Sequence, residues 1–486
     1  MKQFILILIM VTAFISVAQP PTKFYCTYGG NGYDVGYDVK QTFDGGYIIT
    51  GSTSSFGQGN TDMYLLKLDS MGQVKFERSF GGLNNEIGKS VVQLSSDSGY
   101  VMAGYTSSSG VGGYDMYLVK ADKNGNLVWQ KTFGGSDWDF AHSLQATTDG
   151  GFIIGGTTYS FGNGSADGYV VKTNANGDTL WTKTYGGAND DEFKSIIQTA
   201  DGNYATTGYT KSYNDVDSGD VWVFKLNTTG DTLWRKFYGG SKEDFGNEII
   251  EHPVTSDYYV VGGTRSYGAS LNHVNAYSLW LNSIGNQLHQ TLDNTSSSYA
   301  EFSSIVISSR SPYVVNTIIK QTFVSFSQQT KMLEMNLGLD YINATDFGST
   351  LNDECYKIIS TKDKGYACIG FTQGFGAVLS NCYFIKVDSN LIGGNYSIVS
   401  VNERSLSNAT IALYPNPAKN EFNLTSSVSL KKIRLKMVDN IGRELSLDQN
   451  IQFVSDNKVI INTEVILDGV YFLIINDKAL KIVIQH

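Results

Sequence analysis

Apolar and polar residues alternate along most of this chain in short runs that break at Gly, Asn and Asp. Four kinds of run recur in fixed order, exemplified by "FKSIIQTA", "YIITGSTSS", "DMYLLKLD" and "LVWQKTFGG". A period of two bounded by DG, GG, NG or TG turns predicts strands joined as hairpins. Each set of four runs ends on an aromatic residue followed by two glycines, at Tyr28, Phe80, Phe133, Tyr185 and Tyr238, with degenerate versions at Leu292 and Phe347. The anchors lie 52, 53, 52, 53, 54 and 55 residues apart, so insertions between copies are nearly absent.

Four strands per roughly 52 residues is the period of a propeller blade. A twisted four-stranded sheet has two faces to bury, and blades stacked around an axis bury one another. The aromatic anchors, and Trp129, Trp181 and Trp234 four residues before three of them, are expected to pack between blades. First, second and third runs occur seven times, but the last copy, ending near Leu391, lacks its own fourth run. A matching run, "TKFYCTYGG", stands alone near the amino terminus. The predicted fold is therefore all-β: a seven-bladed propeller over residues 19–391, closed by the amino-terminal strand, which removes the exposed edges that invite aggregation.

The four cysteines fall on this scheme. Cys355, Cys368 and Cys382 lie on the three strands of the last blade and Cys26 on the strand assigned to complete it. An exported chain permits disulfides, and a Cys26–Cys382 bond between neighbouring strands is the expected pairing, with four buried thiols as the alternative.

Composition narrows the class. With 52 Gly, 30 Tyr and only 17% charged residues, the chain suits short strands and turns. A formal charge of −10 without a basic cluster argues against nucleic acid as a partner. The first residues, "MKQFILILIMVTAFISVAQP", carry Lys2, an apolar stretch and small residues at Ser16 and Ala18. They read as a signal peptide over 1–18 cleaved after Ala18. Elsewhere no apolar run reaches the 18 or so residues that span a bilayer, so no transmembrane segment is expected in the mature protein.

The copies "KTFGGSDWDFAHSLQATTDGGFIIGGTTYSFGNGSADGYVVKTNANGDTLWTKTYGG" resemble secreted bacterial propeller repeats related to the quinoprotein dehydrogenase-like class, and the "LDxxGxxxW" turn resembles that class's blade-docking turn. The resemblance covers roughly residues 23–391 and speaks to fold rather than function. A polar connector, 392–410, leads to a second region, 411–486, whose alternating runs suggest a small separate β-sandwich. It carries Tyr414-Pro415-Asn416-Pro417, the Asn440-Ile441-Gly442 turn, Asp468-Gly469-Val470-Tyr471 and a last strand with Lys478 and Lys481. In that order these pieces resemble the type A carboxy-terminal sorting domain of type IX secretion cargo. The resemblance implies recognition by the secretion machinery, delivery to the medium or the outer surface of a Gram-negative cell, and removal of the tail with attachment to surface lipopolysaccharide.

Candidate chemistry is sparse. Acidic residues recur six places after the anchors, at Asp34, Glu86, Asp139, Asp191, Asp244 and Asp353, with Ser298 the exception. Such a ring could hold a cation through oxygen ligands; the competing reading is that each carboxylate caps backbone N–H groups in its own loop. Lys67, Lys120, Lys172, Lys225 and Lys386 recur on third strands and read as an outward polar position. His142, His252, His273, His289 and His486 lack metal-ligand spacing. No catalytic residue is assigned: a nucleophile elbow and a phosphate loop are both missing. No cofactor is expected either, since a quinone site of the related dehydrogenases would call for a vicinal cysteine pair. Asp69-Ser70, Asp178-Thr179 and Asp231-Thr232 resemble O-glycosylation sites and equally suit turns. The loops "RSYGASLNHVNAYSLW" and "KQTFVSFSQQTK", with Asn316 where other copies have Gly, depart furthest from the repeat and suggest a contact surface. The expected function is a surface-displayed binding or adhesion protein for a glycan, protein or surface polymer. The alternative is a secreted carbohydrate-active enzyme using two carboxylates on the propeller face.

Overall fold

The alternation sets the strands and the turn residues set their ends. In the first full copy the strands are Asp34–Gln41, Tyr47–Thr53, Asp62–Leu68 and Val74–Phe80, hydrogen-bonded in that order. Gly72 closes the third turn at φ +83°, a conformation that residues with a Cβ enter at a cost of about 1–2 kcal/mol. Its equivalents Gly125, Gly177, Gly230 and Gly285 have φ between +77° and +81°.

The computed structural model describes residues 23–213, 219–268, 273–293, 299–308, 313–321, 328–393, 411–415, 417–426, 435–439, 444–445, 451–455, 458–475 and 478–486. They divide into two units with the boundary between Val399 and Ser400. The expected signal peptide and residues 394–410 of the expected connector lie outside the described residues. Among the described residues every regular element is a strand, and the first unit is a set of four-stranded antiparallel sheets of propeller type. Their first strands are Asp34–Gln41, Glu86–Gln93, Asp139–Ala146, Asp191–Gln198, Asp244–Glu251, Tyr299–Ile307 and Asp353–Ser360, numbered here as sheets one to seven.

Second and third strands are buried along nearly their whole length, whereas fourth strands such as Leu127–Phe133 keep exposed positions. Neighbouring sheets supply the cover. Ile153 and Val170 of sheet three share one core with Phe193, Ile196, Tyr204 and Trp222 of sheet four. The tryptophans behave as docking residues: Trp181 of sheet three lies 6.3 Å from Tyr204 of sheet four and donates to Thr228 O at 3.2 Å. A Cβ on Gly230 would stand 2.9 Å from that indole, so the glycine is required by close approach as well as by φ. The anchor hydroxyl of Tyr185 donates to Gly230 O at 2.5 Å, and Tyr28 makes the same bond to Gly72 O at 2.7 Å.

Sheet seven runs Asp353–Ser360, Tyr366–Thr372, Asn381–Val387 and then Phe24–Tyr28, which pairs antiparallel with Asn381–Val387 from Phe24 opposite Lys386 to Tyr28 opposite Cys382. In sheets one to five a backbone bond from the residue opening the first strand reaches the preceding sheet, as in Glu86 N to Thr61 O (2.8 Å) and Asp191 N to Ala166 O (2.8 Å), with Asp34 N reaching Ser380 O of sheet seven at 3.0 Å.

The expected Cys26–Cys382 bond is not formed. Cys26 stands opposite Phe384 and Cys382 opposite Tyr28, two residues out of register, and both are buried thiols. Cys355 and Cys368 are bonded instead, on the adjacent strands, with Cα atoms 6.1 Å apart, inside the usual disulfide range. The third-strand lysines also differ from the outward reading. Lys67, Lys172, Lys225 and Lys386 are buried, and each reaches the aspartate of its sheet's first hairpin turn: Asp44 (2.9 Å), Asp149 (2.9 Å), Asp201 (3.1 Å) and Asp363 (2.8 Å). Lys120, partly buried, reaches Asp97 at 2.7 Å. The aliphatic stem is sandwiched between sheets while the ammonium closes the hairpin.

In the second unit Ile411–Tyr414, Glu421–Ser426, Lys458–Asn462 and Ile451–Ser455 form one sheet, and Glu444–Leu445, Leu435–Asp439, Gly469–Ile475 and Lys478–Ile484 another. Phe422, Leu424, Val459 and Ile461 of the first meet Met437, Leu473, Ile482 and Ile484 of the second in one core.

The hairpin ion pairs make acid the natural denaturant. Burial alone would raise the Asp44 and Asp149 carboxyls, but the Thr42 and Thr147 hydroxyls, the lysines and the Gly46 and Gly151 N–H groups hold both at about 2. Because the folded-state value lies below the unfolded one, this stabilisation is complete above about pH 4 and is lost as pH falls toward 2. Asp149→Asn is expected to cost about 1–2 kcal/mol, the lower range for a pair whose carboxylate is solvent-exposed, and to flatten the acid limb of a denaturation-midpoint curve.

Candidate functional site

The acidic ring is occupied by its own loops. Asp34 accepts Gly30 N (2.8 Å) and Ser55 Oγ (2.6 Å), and Thr53 Oγ1 donates to its other oxygen at 2.5 Å. Glu86 accepts Gly82 N (2.8 Å) and Thr106 Oγ1 (2.7 Å). Asp139, Asp191 and Asp244 each accept the N–H of the second anchor glycine and a serine hydroxyl, and Asp353 accepts from Ser349. All six are fully buried at the junctions between sheets, where they tie the anchor to the first hairpin. Among the described residues no group of three or more His, Cys, Asp or Glu side chains is placed to hold a metal ion; Ser298 lies outside them.

The first strands bring different residues together. Every one carries a bulge after its third or fourth residue, with register shifts between Gly36/Asp38, Gly88/Ser90, Ala141/Ser143, Phe193/Ser195, Gly246/Glu248, Phe302/Ser304 and Cys355/Lys357. A bulge inserts one unpaired residue and re-aims its side chain. The seven inserted residues are Tyr37, Lys89, His142, Lys194, Asn247, Ser303 and Tyr356, and all seven line a single cavity of about 320 Å³. That cavity is bounded by the first strand of every sheet.

The residues just after the bulges stitch the sheets together. Asp38 accepts Val91 N (2.9 Å) and Ser90 Oγ (3.0 Å), Ser143 Oγ accepts Ile196 N (3.2 Å), Glu248 accepts Ile305 N (3.0 Å) and Ser304 Oγ (2.5 Å), and Ser304 Oγ accepts Ile358 N (3.2 Å). Asp38 also pairs with Lys40 (2.9 Å), and Glu248 with Lys357. Burial opposes the charge on Lys357, but Glu248 and Asp38 raise its pKa above the ordinary lysine value.

The bulge residues divide by chemistry around the wall. On one side Tyr37 and Tyr356 stack, ring centroids 5.2 Å apart. Lys89 places its ammonium 3.5 Å from the Tyr37 ring centre. Burial first, and then the charge of Lys194, pull the Lys89 pKa down to about 7. His142 stands between these lysines, 3.3 Å from Thr157 Oγ1; burial and both lysines lower its pKa, so the ring is neutral at pH 7. Phe140, two residues before His142, leads outward to the exposed Trp138 through ring centroids 6.2 Å apart. Glu301 and Glu354 occupy the equivalent place two residues before the bulges of sheets six and seven; burial raises both carboxyls, and the Glu354 charge raises Glu301 further.

The sequence reading missed this set. At the inserted position the aligned first strands read Tyr, Lys, His, Lys, Asn, Ser and Tyr, but the flanking positions vary too, so this position does not stand out in the copies. The divergent loops of sheets five and six fall partly outside the described residues, at 269–272 and 322–327. Of the sorting-motif residues, Tyr414 is exposed, Tyr471 is buried and donates to Leu467 O at 2.9 Å, and Pro415, Pro417, Gly469 and Lys481 are placed; Asn416 and Gly442 lie outside the described residues.

Residues 412–485 match the secretion system C-terminal sorting domain family. The tail is a type IX sorting domain, and it marks the chain for export to the cell surface or the medium. A 185-residue stretch, 33% of this chain, is 28% identical to the regulatory protein FlaEY of Caulobacter vibrioides and spans 19% of that protein's length. Among solved structures the chain is similar to the Neurospora crassa Pan2 WD40 domain (9% identity, TM-score 0.44, 75% of this chain and 92% of that one). It is also similar to a glucose dehydrogenase (6%, 0.38, 62% and 96%) and to a Dyadobacter fermentans protein of unknown function (9%, 0.40, 74% and 97%).

Glu248→Gln separates the stitching from the cavity. It leaves the Lys357 ammonium inside the wall without its carboxylate, and a loss of about 2–4 kcal/mol is expected in urea unfolding, with Lys357→Met in the same chain restoring most of it.

Proposed function

We propose that this chain is a surface-delivered binding module: a closed ring of seven blades, sealed by the Phe24–Tyr28 strand, carried outside the cell by its sorting tail and engaging a glycan or surface polymer through the central cavity. Cleavage after Ala18, a folded sandwich at 411–486 and recognition of Tyr414, Pro415, Gly469, Tyr471 and Lys481 by the secretion machinery belong to the same reading. The observation that carries it is the cavity into which all seven bulges deliver a side chain of varied chemistry. A residue that only supports the scaffold repeats from copy to copy, as the acidic ring does, whereas a site needs unlike groups converging on one volume.

The enzymatic alternative is supported by a different feature, the carboxyl pair Glu301 and Glu354. A carboxyl whose pKa is raised by burial near a second carboxylate is the kind of pairing a glycoside hydrolase uses for its general acid. The two carboxylates lining the cavity itself, Asp38 and Glu248, are each bound by a lysine, a serine and a backbone N–H, and so have little freedom to transfer protons.

Two measurements test the proposal. Deleting residues 412–485 in the native host is expected to leave the protein in the periplasm, with surface labelling lost. On a glycan array the full-length protein is expected to retain ligands without turnover; hydrolysis abolished by Glu301→Gln or Glu354→Gln would replace binding by catalysis.

A further inference from the structure

The charge of the cavity points to its ligand. Lys40, Lys89, Lys194 and Lys357 line it against Asp38 and Glu248, so four basic groups meet two acidic ones inside a chain of formal charge −10. Three of these lysines have carboxylate partners: Lys40 pairs with Asp38, Lys357 with Glu248, and Lys194 with Glu192 two residues away on its own strand. Lys89 has none among the described residues; what faces its ammonium is the Tyr37 ring. A half-buried ammonium that faces a ring rather than a carboxylate is placed to receive an anionic group of a ligand.

We propose, as a deepening of the binding-module reading, that the cavity takes a sugar acid of hexuronate size, its carboxylate between Lys89 and Lys194 and its ring against the stacked Tyr37 and Tyr356. The volume of about 320 Å³ lies at the low end of the roughly 300–1,000 Å³ of small-molecule sites, which fits one sugar ring rather than a chain. The remaining wall is polar: Gln145, Asn247 and Ser303 line it, and Ser90 and Ser195 edge it, so hydroxyl groups find partners where an aryl acid would not. Neutral His142, between the two lysines, contributes a ring nitrogen as a hydrogen-bonding group rather than a third charge.

Protonation follows from the same geometry. The groups that line the cavity with Lys89 are Tyr37, Asp38 and Lys40 of sheet one, His142 of sheet three, Lys194 of sheet four, Glu248 of sheet five, and Tyr356 and Lys357 of sheet seven, while sheet six lends the neutral Ser303. With Lys89 near 7 in the free protein, a bound carboxylate raises it, so binding above that pH takes up a proton and weakens as pH rises.

Isothermal titration of the full-length protein with glucuronate, glucose, inorganic sulfate and benzoate at pH 6, 7 and 8 tests this. Glucuronate is expected to bind one to one, at least tenfold more tightly than glucose, sulfate or benzoate, with affinity falling several-fold from pH 6 to pH 8. Lys89→Gln and Lys194→Gln are each expected to weaken it tenfold or more, and Lys89→Gln to keep or raise the melting temperature, because it removes a half-buried ammonium that has no carboxylate partner among the described residues. A Lys89→Gln protein that binds glucuronate as the parent does, or equal affinity for glucose, overturns the proposal. Sulfate or benzoate binding as tightly as glucuronate overturns the sugar-acid assignment. Should glucuronate fail while the protein still retains neutral glycans on the array, this inference falls and the binding-module reading stands; if neither binds, both fall.

Discussion

Everything in the first unit depends on the fact that a four-stranded sheet of these sequences is apolar on both faces. Strands such as Tyr47–Thr53 and Phe152–Thr158 are buried at every position, so a single copy of the repeat has nowhere to put its side chains. Each sheet is covered by its neighbours, and a row of such sheets leaves its end faces bare unless they are capped or meet one another. The seventh copy lacks a fourth strand of its own, and Phe24–Tyr28 stands in that place, more than 300 residues away in sequence from its partner at Asn381–Val387. The contacts there repeat those of the other junctions: Tyr28 bonds the turn glycine of sheet one as Tyr185 bonds that of sheet four, and Tyr47 packs 4.9 Å from Phe384.

Convergence of seven first strands then fixes what the interior can be. A plain strand would turn alternate side chains toward its neighbours and fill the centre with backbone; the bulge adds one residue per sheet that need not pair or pack, and it is these residues that line the cavity. Next to them, Asp38, Ser143, Glu248 and Ser304 bond the following sheet's N–H groups and hold the wall still. Bonding between sheets and lining of the cavity are thus divided between adjacent positions. One residue bonds the following sheet in sheets one, three, five and six, and the one before it varies in charge, size and aromaticity.

Much of this was legible in the sequence, and the gaps have physical causes. Anchor spacing and turn glycines predicted the strand order, because period-two alternation and positive-φ turns are local properties. The acidic residues recurred for the reason repetition suggests, a capping bond made in each copy. The third-strand lysines were misread because a lysine's stem and head report different environments: hydropathy places the ammonium outside, while Asp44 and its equivalents allow it inside. Cysteine pairing was missed because four cysteines on neighbouring strands of one sheet offer several partners, and spacing along the chain does not choose between them. The cavity lining was missed because a bulge leaves no composition signature; its trace is an eighth residue in first strands such as Asp34–Gln41 and Glu86–Gln93, whose neighbours have seven.

The central claim is that the amino-terminal strand is an integral member of the last sheet. Hydrogen–deuterium exchange on the full-length protein tests it most directly. Peptides covering residues 24–28 are expected to exchange as slowly as those covering 381–387, both opening only with global unfolding. Exchange of residues 24–28 within seconds while 381–387 stay protected would contradict the account.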